Sequence, residues 1–223
     1  MDLNRLLSLC CPLFSGISAN EISAILKSLN AKKRTYPKNT FVVSVNDPVS
    51  SIGIVTSGSV NVIKEDFWGN RMILARLEKG DLFGEAFFCA QLPFYPVSVI
   101  AAEDCDILFL NYLKLTEPSA ALGNSPTKLM QNMLQILAGK NVLLTQKIEH
   151  ITRRTTREKL LSYLSSQALQ AQSQSFKVPF NRQELADYLA VDRSAMSNEL
   201  SKLREEGLLR FHKSSFELVE LKD

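Results

Sequence analysis

Asn181 to Leu209 read NRQELADYLAVDRSAMSNELSKLREEGLL. Asn181 can cap a helix, and Glu184, three residues on, can return a hydrogen bond to the cap's own backbone N–H, a spacing that starts a helix here. Leu185 and Leu189 then form one apolar stripe, and the small Ala186 lets a second helix cross close over the first. A turn falls at Ala190 and Val191. Asp192 can cap the second helix, whose buried face carries Met196, Leu200 and Leu203 and whose other face carries Ser194, Ser197, Asn198 and Ser201. A face meant only for solvation is usually built from Lys and Glu, whereas short polar side chains able to pair with base edges suit a helix that enters a major groove. An ordinary helical hairpin is the alternative. The capping, the crossing alanine and the hairpin pattern that follows favour a DNA-reading helix-turn-helix over it.

Past Gly207 the chain reads LLRFH, KSS and FELVEL, a terminal hairpin or wing. Before Asn181, a helix from Arg157 to about Ala171 leads through AQSQS to the short strand FKVPF. This region therefore reads as a winged helix, and it is the basic part of the chain. Residues 126 to 223 hold 15 Lys and Arg against 11 Asp and Glu, while residues 1 to 125 hold 11 against 12. The asymmetry is modest but has the sign expected of a part that meets phosphates.

At 223 residues, 45% hydrophobic and 22% charged, the chain is long enough for two globular domains, and disorder is not favoured. It has no run of about 18 or more apolar residues, so no membrane span is expected. LLSLC at Leu6 to Cys10 has a faint likeness to a lipoprotein cleavage site. The segment before it is too short for a signal peptide's apolar core and holds Asp2, so a cytoplasmic location is expected. Four cysteines, Cys10, Cys11, Cys89 and Cys105, make no disulfide framework in a chain of this size. There is no Gly-rich phosphate loop with a following Lys-Ser/Thr, no GxSxG and no metal-ligand cluster, which argues against an enzyme.

Asn20 to Leu29 has helical periodicity and ends before the basic stretch Lys32, Lys33 and Arg34. From Thr40 to Asn111, short apolar runs (FVVSV, IGIVTSGSVNVI, MILARL, VSVIAA, DILFL) alternate with turns at Asn46-Asp47-Pro48, Ser57-Gly58, Trp68-Gly69-Asn70 and Lys79-Gly80-Asp81. Such spacing predicts an antiparallel barrel or sandwich with its clearest hairpin tip at Trp68-Gly69-Asn70. Pro118 to Pro126 reads as a break, and a long helix follows from about Thr127 to Ile151. Within it Leu134, Asn141 and Ile148 fall at heptad a, and Met130, Leu137, Leu144 and Ile151 at d, a parallel coiled-coil seam. A lone Asn141 in that seam pairs best with its own copy, so a homodimer in fixed register is expected. Leu129, Ile136 and Leu143 form a second stripe for packing on the barrel. Thr152 to Thr156, with Arg153 and Arg154, interrupts the seam as a natural hinge.

This order of parts resembles the CRP/FNR superfamily of bacterial transcription regulators over nearly the whole chain. The resemblance rests on GDLFGE at Gly80–Glu85, VSVIAAEDCDILFL at Val97–Leu110 and RQELADYLAVDRSAMSNELSKLREEGLL at Arg182–Leu209. It implies an α+β fold made of an N-terminal antiparallel β-roll, akin to the cyclic-nucleotide-binding-domain jelly roll, a long dimerisation helix and a C-terminal winged helix-turn-helix. The expected divisions are an effector-sensing roll over residues 1–125, a dimerisation helix and hinge over 126–152 and a DNA-binding domain over 153–223.

Cyclic-nucleotide-binding members follow their GxxGE with a Glu for the ribose hydroxyl and then an Arg and a Ser for the cyclic phosphate. Here Glu85 is kept, but Tyr95 and Pro96 stand where the Arg and Ser are expected. Burying a phosphate without a cationic partner carries a large desolvation penalty, and Pro96 also lacks a backbone donor, so cyclic AMP is not expected to be the effector. An effector pocket would draw on Glu85, Phe87, Phe88, Phe94, Tyr95 and Ser98; equally, those aromatics fill the barrel. Adjacent Cys10 and Cys11 are poorly spaced for one iron–sulfur cluster, and the two histidines, His150 and His212, lie outside the roll, so no cofactor or metal is expected.

By the same resemblance, base-reading falls to Arg193, Ser194, Ser197 and Asn198, with Arg182 and Lys202 as further DNA contacts. Known half-sites depend on an arginine where this chain has Asn198, which can pair bidentately with adenine, while Arg193 is placed for a guanine or a phosphate. Ala190 also departs, since glycine is common in this turn and a left-handed alanine is mildly strained. The expected function is a homodimeric transcription regulator gated by an unidentified small effector. Its partners would be a near-palindromic duplex operator, its own copy and, for an activator, RNA polymerase. The alternatives are a redox-responsive regulator using cysteine thiols and a cyclic-nucleotide-sensing module.

Overall fold

The computed structural model describes residues 3–111 and 125–219. Most of the break expected at Pro118–Pro126 lies outside the described residues. The chain divides into two compact units, Met1–Trp68 with Leu74–Asn141, and Gly69–Ile73 with Val142–Asp223.

α1 (Leu3–Cys10) and α2 (Ala19–Ser28) precede eight strands: β1 (Lys32–Tyr36), β2 (Phe41–Val43), β3 (Ile52–Ser57), β4 (Val60–Glu65), β5 (Arg71–Leu77), β6 (Leu82–Phe83), β7 (Ser98–Ala101) and β8 (Cys105–Leu110), all in the first unit except the start of β5, Arg71 to Ile73, which is assigned to the second. A short helix, α3 (Glu85–Cys89), follows β6. Two antiparallel four-stranded sheets result, with orders β1-β8-β3-β6 and β2-β7-β4-β5. This is the roll that the alternating runs predict, and the left-handed residues Asn46, Gly58, Gly69 and Gly80 sit at its four turns.

Period-two alternation sorts the side chains of β3 and β8. Ile52, Ile54, Leu108 and Leu110 pack with Leu7, Leu13, Phe14, Ile22 and Ile25 on the helical side. Val55, Cys105 and Ile107 point the other way, into an interior shared with Val60, Leu77, Phe83, Tyr95 and Val99. At Gly53 a Cβ would lie 2.1 Å from the Phe83 ring, so only glycine lets that ring cross the strand.

Three elements lie where the sequence reading assigned none. The basic stretch Lys32–Arg34 is part of the edge strand β1, and there Lys33 pairs with Asp106 at 2.8 Å and Thr35 Oγ1 donates to the same carboxylate at 2.6 Å. Lysines on an edge strand also discourage pairing with a foreign strand. LLSLC lies within α1, whose Leu7 is fully buried. Residues after Gly84 form the short helix α3.

The long helix α4 spans Ser125–Ile151. In its first turns Leu129 and Met133 are buried and Ile136 and Leu137 pack against the helical-side core. Leu143, expected on that stripe, is exposed instead, and Met133 takes the packing role. The first unit ends at Asn141, two residues before Leu143, so the stripe has run past that unit's core.

The second unit holds α5 (Thr156–Ala171), β9 (Ser175–Lys177), α6 (Arg182–Leu189), α7 (Arg193–Glu205), β10 (Leu209–His212) and β11 (Ser215–Leu218). Its sheet runs β10-β11-β9. Leu160, Leu164, Leu185, Ala186, Leu189, Met196, Leu200 and Leu203 are all buried at 1% exposure or less. Thr155 and Glu158 close a capping box on α5, as Ser18 and Glu21 do on α2.

Candidate functional site

Two sites are built from the residues singled out above, one in each unit. In the second, Asn181 Oδ1 accepts from the Glu184 N–H at 3.0 Å while Glu184 Oε2 accepts from the Asn181 N–H at 2.8 Å, so α6 starts where the capping spacing predicts. Ala190 ends it at φ 51, ψ 57, a left-handed alanine. Asp192 caps α7 by accepting from the Ala195 N–H at 2.8 Å. The Ser194 hydroxyl and that amide hold the Asp192 carboxyl below the usual carboxylate range.

α7 turns Met196, Leu200 and Leu203 inward and leaves Arg193, Ser194, Asn198 and Lys202 exposed. The serines are partly committed to the protein. Ser194 Oγ donates to Asp192, and Ser197 Oγ donates to the Arg193 carbonyl at 2.9 Å, one turn back. Lys202 pairs with Glu199 at 2.8 Å. Arg193 and Asn198 are also exposed on this face.

Arg182 lies elsewhere than on that face. Its guanidinium sits 4.7 Å from the Phe211 ring centroid and 4.9 Å from that of Phe216, the aromatics of the wing strands β10 and β11. Arg204, from the end of α7, lies 5.3 Å from the same Phe211 ring. The first residue of α6 is thus stacked onto the wing, a contact between residues 29 or more positions apart that no local pattern announces. On the wing itself, His212 and Lys213 are exposed, with Lys213 at φ 52 in the turn.

In the first unit, GDLFGE places Gly84 at φ 82, where a Cβ would come within 2.4 Å of the Tyr95 hydroxyl oxygen. Glu85 follows at the start of α3 and is 2% exposed. Its Oε1 accepts from Lys140 Nζ of α4 at 2.7 Å, and the same ammonium donates to the Leu82 carbonyl at 2.5 Å. Oε2 is buried without a hydrogen-bond partner. Lys140 was not legible as a site residue: it is one more lysine on a helix, 55 positions from Glu85.

Tyr95 is 3% exposed, donates from its hydroxyl to the Ser51 carbonyl at 3.0 Å and meets Phe87 edge to face at 5.7 Å. Burial, with Glu85 and Asp47 nearby, pushes the phenol up to about 12. Ser98 Oγ accepts from the Val45 N–H at 2.9 Å. Of the other aromatics, Phe88 packs on the helical side of the sheet and Phe94 is more than half exposed. Phe87 and Tyr95 therefore join the roll interior with Val99 and Ala101, whereas Ser98 alternates with inward-facing Val99, Glu85 turns to Lys140 on α4, and Phe88 and Phe94 lie elsewhere.

The cysteines are unpaired. Burial pushes the Cys11 thiol up to about 12 and the Cys105 thiol up to about 11. Among the described residues no group of three His, Cys, Asp or Glu is arranged to hold a metal ion, and no helix is long and apolar enough to cross a membrane.

Comparison with known proteins matches two stretches of the chain to two families. Residues 33–117 match the cyclic nucleotide-binding domain family and residues 158–223 the Crp-like helix-turn-helix domain family. The chain is 25% identical over 209 residues to the cyclic AMP receptor protein of Thermus thermophilus, covering 94% of this chain and 93% of that protein. It is 25% identical over 191 residues to the CRP-like protein Clp of Xanthomonas campestris, covering 81% and 80%. Among solved structures it is similar to the c-di-GMP responsive regulator CLP of Xanthomonas campestris, with TM-score 0.75, 21% identity and coverage of 91% and 100%. It is also similar to CooA of Carboxydothermus hydrogenoformans, with TM-score 0.69, 22% identity and coverage of 89% and 87%. With a nucleotide-binding-type roll, a long connecting helix and a Crp-like reading head in one chain, this protein belongs to the CRP/FNR superfamily of transcription regulators.

Proposed function

We propose that the protein is a homodimeric, sequence-specific regulator of transcription gated by a small effector other than cyclic AMP. The observation that carries the effector reading is Tyr95. Where relatives that bind a cyclic nucleotide are expected to offer an arginine, this chain has a buried phenol bonded to the Ser51 carbonyl, next to a proline with no N–H. The nearby cation, Lys140, is already paired with Glu85. A cyclic phosphate entering there would lose its hydration and meet no fixed cation. Two relatives carry different nucleotides in their names, cyclic AMP for one and c-di-GMP for the other, so neither transfers by likeness alone.

The dimer reading is supported by α4. Met130, Leu134, Leu144 and Ile148 are each more than half exposed, and Asn141 is exposed between them. Each of the four apolar side chains gains part of the roughly 1.5–3 kcal/mol of full burial if a second helix covers it. Leu137 and Ile151 are half-buried and complete the heptad positions.

For DNA, we assign base reading to Arg193, Ser194, Ser197 and Asn198, with Lys202 beside a phosphate and Arg182 ordering the wing. A redox regulator is less well supported, because the buried thiols Cys11 and Cys105 are held protonated and thiolates are the reactive form. Calorimetric titration of the full-length protein separates the effector readings. Cyclic AMP at millimolar concentration is expected to give no heat and no change in DNA affinity; saturable binding that raises DNA affinity would overturn the effector reading.

A further inference from the structure

Three segments of the second unit meet around one buried cation. Lys147 lies on α4, three residues after Leu144 and one before Ile148, and is 5% exposed. Its Nζ donates to the backbone carbonyl of Ile73 and sits 4.4 Å from the ring centroid of Tyr188 on α6. Tyr188 in turn lies 5.4 Å from the Tyr163 ring of α5 and stacks on Phe180 at 4.8 Å. One turn further along α4, His150 Nδ1 is 2.8 Å from Ser162 Oγ, and its ring meets Tyr163 edge to face. The last turns of α4 are therefore held to α5 and α6 by directional contacts, not by apolar packing alone.

A lysine is an expensive way to fill this space. Withdrawing an ammonium from water is strongly unfavourable, and burial holds the Lys147 amine down to about 8. A methionine has nearly the same length and would occupy the site without that penalty. What the charge adds is direction, because a cation is drawn to the face of the Tyr188 ring and to the negative end of the Ile73 carbonyl. An apolar chain would let Tyr188 sit at several angles. Tyr188 is two residues from Ala186, the fully buried crossing point under α7, so the setting of α6 is passed directly to α7.

We propose that Lys147 is a positioning residue for DNA reading: its ammonium, held between the Ile73 carbonyl and the Tyr188 ring, sets the angle of α6 and α7 to the turns of α4 that carry Leu144 and Ile148. This rests on the dimeric, DNA-reading function proposed above. Since Leu144 and Ile148 belong to the dimer seam, Lys147 refers each recognition helix to the molecular two-fold axis and so fixes the half-site spacing that the dimer accepts. Its role is in geometry, not in base contact.

The test uses the full-length protein and a set of palindromic duplexes built from its own selected half-site, with the half-site separation changed in single base-pair steps. The wild type is expected to prefer one separation sharply. Lys147→Met should keep the same half-site sequence preference and an equal or higher melting temperature, yet lose on the order of tenfold in the ratio of affinities for the best and next-best separations. Tyr188→Phe, which keeps the ring face, should retain the wild-type ratio, and Tyr188→Leu should lose it. An unchanged ratio in both Lys147→Met and Tyr188→Leu overturns the positioning role while leaving DNA reading intact. A wild type that binds no duplex in a salt-dependent way overturns the DNA-reading function itself.

Discussion

At the residue scale, the proposed base reading by α7 rests mainly on two exposed side chains, Arg193 and Asn198. The serines that looked like base readers are partly turned back on the helix, with Ser197 Oγ on the Arg193 carbonyl and Ser194 Oγ on Asp192. Asn198 and Arg193 therefore carry most of the sequence information this face can offer. Asn198→Ala is expected to cost about 1–3 kcal/mol on the best operator and to relax one base position, as read by binding to a library of single-base variants. An equal loss on every sequence would mean that Asn198 touches only the backbone. Ala190 makes a separate prediction. At φ 51 its Cβ crowds the carbonyl, a strain of about 1–2 kcal/mol that glycine does not feel. Ala190→Gly should raise the melting temperature of the second unit, offset in part by the freer unfolded chain; a lower melting temperature would mean that the Ala190 methyl group contributes packing that outweighs the strain.

At the element scale, what could be read in advance was what is encoded locally. The capping boxes, the Asn-, Gly- and Asp-marked turns and the apolar alternation of the central strands each need only a few neighbouring residues, and α6, α7 and the roll followed from them. The strand β1 was hidden because it is an edge: Lys32, Lys33 and Arg34 show no apolar alternation, and the residues of β8 opposite them are more than seventy positions away. The Lys140–Glu85 pair, the stacking of Arg182 on the wing and the Lys147–Tyr188 contact were hidden for the same reason, since each joins elements distant in sequence. The junction of α4 and α5 also predicts a pH effect. Burial pushes the His150 imidazole below its ordinary 6.5, so the unfolded chain takes up the proton first. Above 6.5 both states are neutral there; as pH falls through 6.5 toward the folded value, the unfolded state is favoured and stability is lost. The drop in melting temperature between pH 7.5 and 5.5 should be larger for the wild type than for His150→Gln, and equal drops would remove His150 from the account.

At the scale of the whole molecule, the exposed seam of α4 and the reading head make sense only together. A helix that leaves Leu134 and Leu144 in water gains little as a monomer, and one recognition helix alone reads too few bases to find a site. Leu134→Lys with Leu144→Lys changes two side chains that are each more than half exposed, so the variant is expected to stay folded but to sediment as a monomer and to lose operator binding. A folded dimer in that variant would place the interface elsewhere. Tyr95 and Pro96 stand where the resemblance implies an arginine and a serine, and Asn198 where it implies an arginine, so under the proposed function both the signal and the operator are expected to be this protein's own. The most direct measurement is footprinting of the full-length protein on the DNA upstream of its own gene across a salt series. The account predicts protection of a near-palindrome with half-sites about 10 base pairs apart centre to centre, and an affinity that falls steeply as salt rises. Binding that is absent, or indifferent to salt, would contradict it.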